Sequence, residues 1–91
     1  MSAEGKRHMM RVSGLGCCVC GGAAIAHHIR SGTSSGMGRK ARDFETIPLC
    51  NFHHTDGGYG NAIHAGALFW QHKYGFESEL LQQVNRELGI A

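Results

Sequence analysis

The chain has few of the residues that let a protein of its size fold on apolar packing alone. Its 91 residues include one tryptophan, two tyrosines, four phenylalanines and one proline. That is material for a single modest core and a single domain, in a chain that buries only roughly 60–65% of its unfolded surface. Chains with so little to bury often depend on a metal or a disulfide. The single proline excludes a proline-rich spacer. No apolar run approaches the roughly 18–20 residues of a membrane-spanning helix, and the opening MSAEGKRHMMRVSG lacks the apolar stretch of a secretory signal. The expectation is a cytoplasmic protein that does not enter a membrane. A dominant charge is also missing. Nine Lys and Arg stand against seven Asp and Glu, a net +2 that by itself establishes no nucleic-acid partner.

What the chain does have is four cysteines, seven histidines and fourteen glycines. In a reducing compartment, clustered Cys and His point to metal rather than to disulfides. Cys17 and Cys20 form a C-x2-C pair inside GLGCCVCGG, a glycine-bounded turn. Cys50 and His53 form a C-x2-H pair farther along. Two such pairs make one closed tetrahedral site, so Cys17, Cys20, Cys50 and His53 are the expected ligands of a structural Zn2+. Cys18 could stand in for Cys17, but it lacks the two-residue spacing to Cys20 that lets one turn wrap an ion.

The remaining order reads as knuckle, strand, loop, strand, helix, helix. Residues 1–9 are polar and aperiodic and are expected to be a flexible N-terminus, with a single domain over 10–91. Met10 to Leu15 reads as a short strand, and Ala23 to Ile29 and Phe44 to Leu49 as two more, the last weakened by Pro48. Between the latter two lies a loop rich in Gly and Ser that carries Arg30, Arg39, Lys40 and Arg42. Asn61 reads as the cap of a helix with Ile63, Ala67, Trp70 and Tyr74 on one face and Gly75 as its stop. Phe76, Leu80, Val84 and Leu88 mark an amphipathic C-terminal helix.

Two His-His pairs flank the basic loop. Antiparallel pairing of its flanking strands would bring His27 and His28 near His54, which is fixed by its neighbour His53. His64 faces back from the following helix. Two or three converging imidazoles can hold a divalent cation, and a further neutral one can act as a general base. Adjacent strand residues point to opposite faces, so His27 and His28 share one site only where the strand bends or ends. His8 and His72 read as ordinary polar side chains.

The combination of C-x2-C-G, a His-His pair closing a strand, a long loop, P-L-C and then C-x2-H-H resembles the HNH, or ββα-metal, endonucleases. Within that superfamily, IPLCNFHHTDGGYGNAIHAGALFWQHKYGFESELL looks most like small phage-borne nucleases of the recombination-enhancement type, which act with a RecA-type filament, and like their prophage relatives. The resemblance spans roughly Leu15 to Val84. It implies an α+β fold: a zinc-stabilised ββα-metal domain with a long loop between two short antiparallel strands and two C-terminal helices. It also implies DNA cleavage using Mg2+ or Mn2+, with His28 as general base and His27, His54 and His64 as ligands of the catalytic ion. Arg30, Arg39, Lys40 and Arg42 would neutralise DNA phosphates. The motif's central Asn is absent, with Asp43, Glu45 and Thr46 in its region, so another group must position the base. The competing expectation is a zinc-stabilised DNA-binding or adaptor module that kept the fold and lost the chemistry.

Overall fold

The computed structural model describes residues 3–30 and 43–89. The chain opens with helix α1 (Ala3–Gly14), whose buried positions Gly5, His8 and Val12 follow one face while Lys6, Arg7, Met10 and Arg11 stay outside. This corrects two expectations, the flexible terminus over 1–9 and the strand at Met10 to Leu15. The apolar signal was too weak to read, because only Val12 among the three buried residues is a large aliphatic. Ser13 turns its hydroxyl back to the Met9 carbonyl, 3.0 Å away, and the helix ends there.

The chain then enters the Cys-rich turn and forms a hairpin of two antiparallel strands, β1 (Ile25–His28) and β2 (Thr46–Leu49). Ile25 pairs with Leu49, Ala26 with Pro48, His27 with Ile47 and His28 with Thr46. Every residue of β2 is buried, as expected of a strand in contact with α1 and with the C-terminal helix. Pro48 is accommodated because a two-stranded sheet leaves one side of each strand unpaired. Its carbonyl accepts the Cys18 N–H at 3.0 Å, tying the Cys-rich turn to the sheet.

After Cys50 the chain makes a wide, π-type helical turn (Phe52–Asp56) and later a 3-10 turn (Ile63–Ala65), followed by α2 (Ala67–Tyr74) and α3 (Glu77–Glu87). The expected helix from Asn61 is therefore broken, and α2 begins only after Gly66. Asn61 is not its cap. Its side-chain oxygen accepts from Lys73 Nζ at 3.1 Å and from the Tyr74 hydroxyl at 3.2 Å, and its carbonyl accepts the Trp70 indole N–H at 3.0 Å. Gly75 stops α2 as expected.

Val12, Cys17, Ile29, Ile47, Leu49, Ile63, Trp70 and Val84 form the core, with Leu80, Leu81 and Leu88 packed against it. Each large buried side chain contributes roughly 1.5–3 kcal/mol, so a core this small leaves a clear role for metal. None of the helices among the described residues is long and apolar enough to cross a membrane. Arg39, Lys40 and Arg42 lie outside the described residues.

Candidate functional site

Two clusters of metal-ligating side chains lie on either side of the His53–His54 step. In the first, Cys17, Cys20, Cys50 and His53 each offer a ligand atom within 4.8 Å of the others. Cys20 Sγ lies 3.6 Å from Cys50 Sγ, and His53 Nδ1 lies 3.2 Å from Cys50 Sγ and 3.8 Å from Cys17 Sγ. Tetrahedral zinc with ordinary bond lengths requires about 3.8 Å between sulfurs and about 3.6 Å between sulfur and nitrogen. The donor set therefore fits zinc in both chemistry and spacing, and all four cysteines are free thiols.

The local backbone explains how the turn presents these groups. Gly16 and Gly21 take φ of 82° and 78°, a region that L side chains rarely adopt. Gly21 N–H then closes on the Cys17 carbonyl at 2.8 Å, and the Val19 amide points at Cys17 Sγ at 3.4 Å. Burial pushes the Cys17 thiol up, but hydrogen bonds from the backbone of Cys50, Cys20 and Val19 outweigh it and bring the pKa below its ordinary value. Cys18 goes the other way, pushed up to about 12 by burial and by Cys17 beside it. It is outside the quartet, as the spacing rule predicts.

In the second cluster, His27, His54 and His64 offer ligand atoms within 4.8 Å of one another. His54 Nε2 and His64 Nε2 face each other at 2.9 Å, and the His27 ring centroid lies 5.0 Å and 5.1 Å from theirs. Two imidazoles on one ion stand about 2.9–3.3 Å apart at right-angled or tetrahedral geometry. Burial, then His27 and the paired imidazole, lowers the pKa of His54; burial, His27 and Arg30 lower that of His64. Both rings are thus kept neutral near pH 7, the form that binds metal. Three nitrogen donors suit manganese, zinc or nickel better than magnesium.

Two buried carboxylates orient the β1 histidines. His27 Nε2 donates to Glu77 Oε2 at 2.9 Å, which leaves Nδ1 for an ion. Glu77, at the start of α3, also accepts the Arg30 backbone N–H through Oε1 at 3.2 Å. His28 Nε2 donates to Asp43 Oδ1 at 3.0 Å, which makes Nδ1 the ring nitrogen that can accept a proton. The two histidines point apart, as alternation along a strand requires, with His27 buried and His28 39% exposed. Even so, His27, His28, Arg30, His54 and His64 line one open pocket of about 410 Å³. A slightly larger hollow of about 470 Å³, against Glu4, Arg7, Met10, Arg11 and Phe44, holds no converging ligands.

The structure thus gathers Cys17, Cys20, Cys50 and His53 in one cluster and His27, His54 and His64 in another, with His28 and Arg30 on the lining of the second and His64 on the 3-10 turn rather than inside a helix. Glu77 was missed, since fifty residues separate it from His27 and no local pattern links them. His8 is not the ordinary polar side chain expected. It is buried, and among the described residues neither ring nitrogen has a hydrogen-bond partner.

Residues 2–90 match a family described as "Protein of unknown function (DUF968)". The chain belongs to the DUF968 family. Over 76 residues, or 81% of its length, this DUF968 chain is 36% identical to the uncharacterized protein YdfU of Escherichia coli (strain K12). The match covers 20% of YdfU, so the chain spans about a fifth of the length of that relative. No solved structure matches it.

Proposed function

We propose that the chain is a metal-dependent DNA endonuclease of the HNH type, hydrolysing phosphodiester bonds at the pocket formed by His27, His28, His54 and His64. The observation that carries this reading is the convergence of three imidazoles beside a fourth whose Nε2 is held by a buried carboxylate. The hairpin, the zinc-type quartet and the turn bearing His54 support reading the α+β fold as ββα-metal.

In this reading His28 Nδ1 takes a proton from the attacking water while Asp43 fixes the ring and its tautomer. Glu77 does the same for His27 as a ligand, the arrangement commonly seen behind metal-bound histidines. Arg30 neutralises a phosphate next to the one cut. A divalent ion held by His27, His54 and His64 would stabilise charge developing on the scissile phosphate and the leaving 3′ oxygen. The nitrogen-rich donor set favours Mn2+ over Mg2+ as that ion. On the resemblance alone, the proposal extends to a phage or prophage setting and to a RecA-type filament as partner.

The test uses protein that retains one zinc per chain and has been stripped of other metal. Supercoiled plasmid and single-stranded circles should be cut only after Mn2+ or Mg2+ is added back. Binding of DNA without cleavage under either ion would replace this reading with the adaptor.

A further inference from the structure

The rings of Tyr59 and Phe69 stack, with centroids 5.3 Å apart and planes within 18°, and both are left at the surface, Tyr59 70% and Phe69 48% exposed. Isolated exposed apolar side chains are ordinary. This pair differs because the backbone makes room for it. A Cβ on Gly66 would lie 2.7 Å from Tyr59 Cε2, and one on Gly60 would lie 3.3 Å from Phe69 Cε2, so both rings rest directly on main chain. Phe69 covers one face of Tyr59 and Gly66 takes its edge, which leaves the other face open.

The platform adjoins the imidazole cluster. Gly66 lies two residues beyond His64, and it lines a pocket of about 280 Å³ together with His27, Arg30, His64 and Glu77. Three of those residues, His27, Arg30 and His64, also line the pocket of the three-imidazole cluster. Gly66 is the link: it lines the pocket that shares His27, Arg30 and His64 with the imidazole cluster, and it is the residue against which the Tyr59 ring packs.

We propose that Tyr59 and Phe69 form a stacking platform for an unpaired base of a single-stranded nucleic acid whose backbone runs through the imidazole pocket. This rests on the nuclease reading and names its substrate class. Base-on-aromatic stacking is tolerant of sequence and needs a base with a free face, which a duplex interior does not offer. The exposed Arg30 on the pocket that Gly66 lines suits a phosphate backbone, whereas a protein partner reaching from the rings into that pocket would meet a desolvation cost there.

The experiment measures binding of the zinc-loaded chain, without a second metal, to a fluorescent single-stranded oligonucleotide, to the same strand with abasic sites, and to the corresponding duplex. Tyr59→Leu should weaken single-strand binding roughly 5- to 100-fold and leave duplex and abasic binding unchanged, while Tyr59→Trp should retain it. Phe69→Leu, with the abasic strand on the wild-type protein, carries the test should Tyr59→Leu lose its zinc. Equal weakening on all three ligands, an unchanged single-strand affinity, or a dimer that Tyr59→Leu converts to monomer would overturn the platform. The two readings fail separately: single-strand binding and cleavage indifferent to Tyr59, with cleavage still present, remove the platform and keep the nuclease, whereas absence of any cleavage removes the nuclease.

Discussion

His28 Nε2 lies 3.0 Å from Asp43 Oδ1, and Asp43 is only 5% exposed, so a buried carboxylate fixes a half-exposed site histidine. Among the described residues the other carboxylate oxygen, Oδ2, is buried without a hydrogen-bond partner, and the His28 contact is the side-chain bond this carboxylate makes. Asp43→Asn should slow cleavage on the order of 10- to 100-fold, the usual effect of disturbing an orienting partner.

Gly5 is where α1 meets that carboxylate. A Cβ there would collide with Asp43 Oδ2 and lie 2.8 Å from Asp43 Cβ. Helix propensity alone favours Ala over Gly by about 1 kcal/mol, yet Gly5→Ala should destabilise the domain by about 1–3 kcal/mol through overpacking. Gly14→Ala, with nothing within 4 Å, is the control that should be neutral or slightly stabilising. Urea unfolding of the two variants decides the sign.

His8 predicts a pH dependence. Burial, and then Arg11, lowers its pKa in the folded chain below the ordinary value of 6.5. Its unfolded state therefore binds the proton more readily, so stability is full above about pH 6.5 and falls as the pH drops below it. His8→Leu should flatten that acid-side loss. It should also raise stability near pH 7 by about 1 kcal/mol or more, since it removes buried polar atoms that lack partners among the described residues. Unfolding midpoints from pH 5 to pH 8 for both proteins measure this.

The zinc quartet separates the two neighbouring cysteines. Most of the binding free energy of a structural zinc is also folding free energy, about 10–16 kcal/mol in small zinc-dependent domains. Cys20→Ala should lose the ion and the cooperative unfolding transition, whereas Cys18→Ala should keep one zinc per chain. Metal content and thermal melts on the same samples check both.

What could be read in the sequence follows from how far apart the cooperating residues are. Cys17 with Cys20 and Cys50 with His53 are each separated by two intervening residues, so one turn presents each pair and spacing alone identifies them. The meeting of His27, His54 and His64 followed from strand pairing across the loop, a single topological step. α1 was not legible because its buried face carries Gly5 and His8 where an amphipathic pattern would show aliphatics. Glu77 was not legible because only the docking of α3 brings it to His27. The break at Gly66 was hidden for a similar reason: the residues around it read as continuous helix, and it is the packing of Tyr59 against that glycine that leaves no room for a side chain.

The central claim is that His28 does chemistry while His54 holds an ion, and single-turnover DNA cleavage with metal content measured on the same samples tests it most directly. His28→Ala should keep its metal and its DNA affinity while losing roughly 10²- to 10⁴-fold in rate, the range for loss of a positioned general base. His54→Ala should lose the second ion and recover only partly when metal is added. Wild-type rates in both variants would contradict the account.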